Sequence, residues 1–150
     1  MIYFIGMALL IAFDQWTKKW AIESLMLQGP KSWIEGLIGF RYAENTGAAF
    51  SILRDKQLLL IILTSVIILG LCGYLIKAIR TDAHVTVKWA YMLLISGAIG
   101  NFIDRVRLNY VVDFLEFRFI NFPIFNIADI CVVVGVSLLA IATFFFKYDF

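Results

Sequence analysis

Long apolar runs separated by short polar clusters dominate this chain, and they predict membrane-spanning helices. Residues 58–76 form an uncharged run rich in Leu and Ile, close to the roughly 20 apolar residues that a spanning helix needs. Residues 1–13, 89–103 and 130–146 reach that length only with their polar neighbours. The pattern predicts an all-α membrane protein of one domain. Its four transmembrane helices are expected at about residues 1–22, 57–79, 86–105 and 127–147.

The two longer connections, at about residues 23–56 and 107–125, lie on the same side of the membrane because consecutive spans run antiparallel. The first contains the strand-like run Phe40-Arg41-Tyr42, followed by the turn signal Asn45-Thr46-Gly47. This connection is predicted to form a small β-sheet cap. The second is predicted to be a second surface loop with a strand-like run, Phe117-Arg118-Phe119. Period-two alternation there places Asp113 on the face of Leu115, Phe117 and Phe119.

Polar residues near the spans share that side of the membrane. Asp14 and Lys18 end the first predicted span, and Asn126 and Asp129 begin the fourth. The third span ends with Asn101, Asp104 and Arg105. A polar site near one leaflet therefore follows from topology alone.

Two aspartates carry the strongest indication of chemistry. An ionised carboxylate at the bilayer centre costs about 3 kcal/mol, so such a group usually has a function. Asp113 and Asp129, if brought together, suffice for acid/base chemistry on an amide. A structural explanation exists for one of them: Asn126 is a candidate N-cap, with Asp129 reaching back as in a capping box. Asp113 has no capping role, which favours a functional pair.

Other polar residues have two explanations each. Asp14 and Lys18, spaced i, i+4, form either a plain ion pair or part of a site wall. Asp104 and Arg105 form either a structural network or, through Arg105, a contact to substrate. Asn45 either belongs to a simple turn or faces the site.

Composition restricts the class of protein further. The chain is 62% hydrophobic and 16% charged, with a net charge of +2, so nucleic acid is not an expected partner. Cys72 and Cys131 lie inside apolar runs and form no disulfide pattern. Because the chain has a single histidine, His84, it has few side chains for a histidine-based metal site. No metal or cofactor is expected.

Basic residues do not orient the chain in the membrane convincingly. Nine lie on the side of the polar site and four on the other, which by the positive-inside rule would place the site in the cytoplasm. Several of the nine belong to the predicted cap or to the site itself, so orientation stays open at this level.

Five short runs contain most of these polar residues. They are Asp14-Gln15-Trp16-Thr17-Lys18, Asn45-Thr46-Gly47-Ala48-Ala49-Phe50, Gly100-Asn101-Phe102-Ile103-Asp104-Arg105, Val111-Val112-Asp113-Phe114 and Phe125-Asn126-Ile127-Ala128-Asp129. In order and spacing they resemble the motif blocks of the lipoprotein signal peptidase (signal peptidase II) family. Each run alone is weakly specific, but five in order are highly specific.

The resemblance implies roles for the residues that match. Asp113 and Asp129 correspond to a catalytic aspartyl dyad. The substrate site corresponds to Asn45, Asn101, Arg105 and Asn126. Asp14, Lys18 and Asp104 correspond to residues that support the site.

The resemblance also implies a substrate and a location. The enzyme would remove the signal peptide from diacylglyceryl-modified prolipoproteins, cutting before the lipidated cysteine, and globomycin-type inhibitors would block it. It would be a multi-pass protein of the bacterial inner membrane, in contact with membrane lipids and expected to be a monomer. Both termini would be cytoplasmic, and the sheet cap, the second loop and the active site near the outer leaflet would be extracytoplasmic.

Two other functions are compatible with parts of the pattern. A small proton-coupled membrane carrier is the main alternative, because intramembrane acids also serve proton relays. Against it, the polar residues gather at one leaflet and do not continue through the second span. A purely structural four-span protein would leave Asp113 unexplained.

Overall fold

Four long helices and a three-stranded sheet make up the part of the chain that the computed structural model describes, residues 1–47 and 53–146. The elements in chain order are α1 (Ile2–Gln28), β1 (Lys31–Ile34), β2 (Ile38–Asn45), α2 (Gln57–Arg80), α3 (Val85–Leu108), β3 (Val111–Phe117) and α4 (Ile127–Phe146).

Three of the helices are long and apolar enough to cross a membrane. They are Gln57–Arg80, Val85–Leu108 and the segment Ile127–Phe145 of α4. Helix α1 has 27 residues and continues to Gln28, beyond its predicted end near residue 22, but it carries several charged side chains in its middle. The helical membrane architecture is therefore confirmed, whereas the fourth span stays a prediction.

Helix α3 lies at the centre of the helical bundle. Half of the residues in its most apolar 18-residue stretch are buried, compared with 11% in α2 and 22% in α4. Tyr91 and Ile95 of α3 pack in one core with Leu75 of α2 and Ala142 of α4. The polar residues at the end of α3 are therefore surrounded by neighbouring elements.

Small residues let α3 and α4 approach closely. A Cβ atom on Gly97 would collide with the carbonyl oxygen of Ala128, and one on Gly100 would lie 2.6 Å from Oδ2 of Asp14. Further along α4, a Cβ on Gly135 would lie 3.0 Å from the carbonyl oxygen of Ala90. This close packing brings the first turn of α4 against the polar end of α3.

The sheet has the order β1-β2-β3 and is antiparallel throughout. The predicted cap is thus present. The second connection, which was expected to be a loop with a strand-like run, contributes β3 to this sheet by pairing with β2. The continuous apolar run Val111-Val112 gave no sign of this long-range pairing. Strand β3 also ends at Phe117, so Phe119 lies in the following turn and not in the strand.

Aromatic contacts hold the sheet against α1. The ring of Trp20 packs edge-on against Phe40 of β2 and Phe114 of β3, at centroid distances of 5.3 and 6.2 Å. Ala21 and Leu25 of α1 complete this small core with Val112 and Phe114. The cap is therefore held directly above the polar end of the helices.

Candidate active site

Asp113 lies in the middle of β3 with only 3% of its surface exposed. Its carboxylate accepts hydrogen bonds from the side-chain amides of Asn126, at 2.7 Å, and Asn45, at 3.1 Å. Burial, followed by repulsion from Asp129, raises the pKa of Asp113 from 3.8 to about 7. Near neutral pH this carboxyl group is therefore able to hold a proton.

Asp129 lies in the first turn of α4, and the expected capping box is present. The backbone N–H of Asp129 donates to Oδ1 of Asn126, at 2.9 Å, and the backbone N–H of Asn126 donates to Oδ2 of Asp129, at 3.2 Å. The amide of Asn101 donates to the other carboxylate oxygen at 2.8 Å. Both N–H donors and the positive end of the helix dipole favour the charged form of Asp129.

Asn126 brings the two aspartates together. Its side chain is fully buried and donates to Asp113, while its backbone and side chain form the cap with Asp129. The capping explanation is thus confirmed and Asp113 and Asp129 both contact Asn126, while their role as a catalytic pair stays a prediction. One asparagine separates the two carboxylates, which come from different elements.

Lys18 is buried among three acceptors. Its ammonium group lies 3.0 Å from Oδ2 of Asp14, 3.0 Å from Oδ2 of Asp104 and 2.9 Å from Oδ1 of Asn101. The predicted pairing of Asp14 with Lys18 is confirmed. Asp14 also accepts from the backbone N–H of Ala128 at 2.9 Å, so α1 holds the first turn of α4.

Asp104 pairs with Lys18, and among the ion pairs of residues 1–47 and 53–146 none joins it to Arg105. The expected Asp104–Arg105 network therefore contains no direct ion pair between the two residues, although their opposite charges still attract each other. The reason is geometric: Asp104 points toward α1 and also accepts from the backbone N–H of Val112 at 3.1 Å. Arg105 instead donates to the carbonyl oxygen of Gly47 at 3.0 Å, and thus ties α3 to the end of the β2 connection.

A cavity of about 570 Å³ opens beside the aspartates. Its polar lining residues are Asn45, Asn101, Arg105, Asp113 and Asp129. Most of the remaining wall is apolar and comes from β3, from the connection between β3 and α4 and from the outer face of α4, with Phe117, Phe122, Ile124, Phe125, Ile130 and Val133. Such a site suits a substrate that combines a polar reacting group with an apolar part.

Asn45 lies where its turn signal placed it, at the end of β2. Its side-chain oxygen accepts from the backbone N–H of Gly47 at 3.0 Å, and its amide donates to Asp113. One residue therefore closes the turn and faces the site. The rest of that motif, residues 48–50, lies outside the described residues.

Sequence reasoning missed Gln15 as part of the site's support. Its amide donates to Asp104 at 2.9 Å, to Asp14 at 3.2 Å and to the carbonyl oxygen of Gly100 at 3.2 Å. The available signal was its position inside the first motif run. The aromatic cavity wall was also missed, since the sequence gave no reason to place Phe122 and Phe125 beside the aspartates.

Several known proteins resemble this chain in sequence or in fold. The family model for signal peptidase (SPase) II matches residues 6–145. Two proteins named lipoprotein signal peptidase, from Streptococcus pyogenes serotypes M5 (strain Manfredo) and M18 (strain MGAS8232), are each 42% identical over 142 residues, covering 93% of this chain and 91% of theirs.

Two solved structures share the fold. Both are described as bacterial membrane enzymes determined by the in meso method, at 2.3 and 1.9 Å resolution. Each has a TM-score of 0.83, with 31% and 32% identity; the matches cover 99% and 96% of this chain and 93% of each solved chain. The sequence match along nearly the whole chain and the shared fold lead to one conclusion: this chain belongs to the signal peptidase (SPase) II family of bacterial multi-pass membrane peptidases.

Proposed function

We propose that this chain removes the signal peptide from diacylglyceryl-modified prolipoproteins, cutting before the lipidated cysteine, and that Asp113 and Asp129 are its catalytic pair. The family and the names of its relatives support the reaction. The observation that carries the assignment of the pair is the Asn126 bridge, which joins the buried carboxylate of Asp113 to the partly buried carboxylate of Asp129 at the wall of a largely apolar cavity.

The charges around the pair favour one shared proton. Asp14, Lys18, Asp104 and Arg105 together carry no net formal charge, so ionising both Asp113 and Asp129 would leave this cluster with two excess negative charges. Two neighbouring carboxylates do not ionise together easily. The raised pKa of Asp113 and the N-terminal position of Asp129 on α4 assign the proton to Asp113, although titration belongs to the pair as a whole.

Catalysis then proceeds by general acid/base chemistry on a water molecule. Asp129 takes a proton from the water while the water oxygen bonds to the scissile carbonyl carbon. The protonated Asp113 donates a hydrogen bond to the developing oxyanion. When the C–N bond breaks, Asp113 gives its proton to the leaving amine, and the pair again holds one proton, now on Asp129. The products are a carboxylic acid and an amine, with no metal or cofactor in any step.

The other polar residues of the cavity have positioning and binding roles in this proposal. Asn45 and Asn126 orient Asp113, and Asn101 orients Asp129. Asn45 and Asn101 also line the cavity and can bind the peptide backbone, whereas Asn126, expected to be a substrate-binding residue, is fully buried and is not part of the cavity wall. Arg105 binds a substrate carbonyl while fixing the Gly47 end of the β2 connection. Asp14, Lys18 and Asp104 support these residues from behind.

Helix α1 is proposed as the fourth membrane span. Its length of 27 residues is sufficient to cross the hydrocarbon core, at 1.5 Å per residue. The charges of Asp14 and Lys18 that interrupt its apolar run are buried against each other. Termini in the cytoplasm then place the cap and the site at the outer leaflet, where the substrate's acyl chains remain in lipid.

Membrane lipids and globomycin-type inhibitors are proposed partners of the same cavity, and the chain is proposed to act as a monomer. No observation among the described residues favours a proton-coupled carrier, since the buried polar groups gather at one end of the helices.

The experiment is a gel-shift assay of the purified protein with diacylglyceryl-modified prolipoprotein. The wild-type chain should shorten the substrate, and globomycin should stop the reaction. Asp113→Asn and Asp129→Asn should each lower the rate by at least about 10²–10⁴-fold, the usual worth of a general acid or base, without loss of folding or membrane insertion. Near-full activity of either variant would remove that residue from the mechanism.

A further inference from the structure

The amide of Asn101 has one orientation that satisfies its neighbours, and Lys18 is the charged donor among the groups that fix it. Oδ1 of Asn101 accepts from the Lys18 ammonium group at 2.9 Å and from the Asn126 amide at 3.1 Å. Its Nδ2 donates to Asp129 at 2.8 Å. A rotated amide would set its N–H group against two other donors and its oxygen against a carboxylate, which is unfavourable in a buried site.

Lys18 has no spare donor for another task. An ammonium group has three N–H bonds, and the three acceptors around Lys18 are Asp14, Asp104 and Asn101. Only the last of these touches Asp129 directly. The hydrogen-bonded connection from Lys18 to Asp129 therefore runs through the Asn101 amide, in addition to the direct attraction between the Lys18 charge and the two aspartates.

We propose that Lys18 is a positioning residue that, through the oxygen of Asn101, holds an N–H group on Asp129 and so keeps Asp129 the ionised partner of the pair. The inference rests on the proposed function. It goes beyond a supporting role by stating which bond transmits the effect and which carboxylate receives it.

Among residues 1–47 and 53–146, the charged groups that face this path come from four elements. Asp14 and Lys18 lie on α1, Asp104 and Arg105 on α3, Asp113 on β3 and Asp129 on α4. Removing Lys18 alone would change the net charge of this cluster and would leave Asp14 and Asp104 buried without their cation, a change that commonly unfolds a protein locally. The test therefore needs a variant that conserves charge.

Lys18→Met/Asp104→Asn is that variant, because it removes one positive and one negative charge together. Its matched control is Asp104→Asn, which leaves Lys18 in contact with Asn101. The pH dependence of kcat/KM is measured for both and for the wild-type chain in the gel-shift assay. In the double variant the acid limb should move to higher pH by about one unit, equivalent to a tenfold loss at a given pH on that limb. In Asp104→Asn the acid limb should remain at the wild-type pH or move to lower pH.

A second comparison tests the route through the amide. In an Asn101→Ala background, the additional Lys18→Met/Asp104→Asn change should shift the acid limb by much less than it does in the wild-type background, because coupled residues are not additive. Lys88→Met, at the other end of α3, should leave the profile unchanged. An unshifted limb in the double variant, or equal shifts in both backgrounds, would overturn the proposal.

Failure of this proposal is distinguishable from failure of the proposed function. If the wild-type chain does not shorten the prolipoprotein, the proposed function fails before any variant is compared. The other case is that the wild-type chain cleaves the prolipoprotein but the acid limb of the variants does not move as expected. The proposal that Asp113 and Asp129 are the catalytic pair is then retained, and Lys18 is a structural residue.

Discussion

Asn126 combines a local and a long-range role in one side chain. The local role, capping α4 with Asp129, was predictable because the partners are three residues apart and the helix start is marked by an apolar run. The long-range role, the 2.7 Å hydrogen bond to Asp113, was not derivable from spacing. It depends on where β3 lies relative to α4, which no short sequence pattern encodes.

Asp113 should make the folded protein less stable as the pH rises. Its pKa is higher in the folded state, about 7, than the ordinary 3.8, so the folded state binds this proton more tightly than the unfolded state does. The free energy of unfolding therefore falls as the pH increases between these two values, all else being equal. Asp113→Asn removes the group and should abolish this part of the pH dependence.

The measurement is thermal unfolding in detergent, followed by a thiol-reactive dye that reports exposure of Cys131, which is buried in the folded protein. The melting temperature of Asp113→Asn relative to wild type should be higher at pH 8 than at pH 5. An equal difference at the two pH values would show that the proton on Asp113 does not couple to folding.

At the scale of elements, one extra residue in β2 decides which side chain faces Asp113. Phe40 pairs with Leu115, whereas Ala43 pairs with Asp113, so three steps along β2 oppose two along β3. Without this bulge Glu44 would lie opposite Val111; with it, Asn45 takes that place. Alternation in the sequence predicts strands but not such an insertion, because the bulge depends on the partner strand.

The contact between α3 and α4 should tolerate no added methyl group near the site. Gly97→Ala would push against the carbonyl oxygen of Ala128, move the first turn of α4 and lower the free energy of unfolding by about 1–3 kcal/mol. Cleavage activity should fall as well, since that turn carries Asp129.

The matched control is Gly70→Ala on α2, where an added Cβ meets no atom within 4 Å. This change should leave both stability and activity close to wild type, because alanine suits a helix better than glycine does. The two variants are compared by thermal unfolding and by the gel-shift assay. Equal effects of the two substitutions would contradict the close-packing argument.

At the scale of the whole molecule, the buried polar groups and the sheet lie at one end of the helices. Basic residues favour that end as the cytoplasmic one, but three of them, Lys18, Arg41 and Arg105, are engaged with acids or backbone within the fold. Charges used inside a folded structure do not report on topology as free loop charges do. We therefore expect the family's orientation, with the cap outside.

Cysteine labelling in intact bacteria checks this orientation. In a background with Cys72→Ser and Cys131→Ser, a membrane-impermeant maleimide should label Ser32→Cys on the exposed β1 strand without cell lysis. Thr81→Cys, in the exposed connection between α2 and α3, should react only after lysis. The opposite labelling pattern would place the site in the cytoplasm and would contradict the proposed route of the substrate.

The chain's sequence by itself determined the membrane class, the positions of the helices, the α4 cap and the residues worth examining. These depend on hydrophobicity and on contacts three or four residues apart, which are visible along a linear pattern. Only the tertiary structure decided that β3 joins the cap, that Asp104 pairs with Lys18 and that Asn126 joins the aspartates. Each of these is a contact between elements, set by bundle packing and strand register together, and a linear pattern carries no record of them.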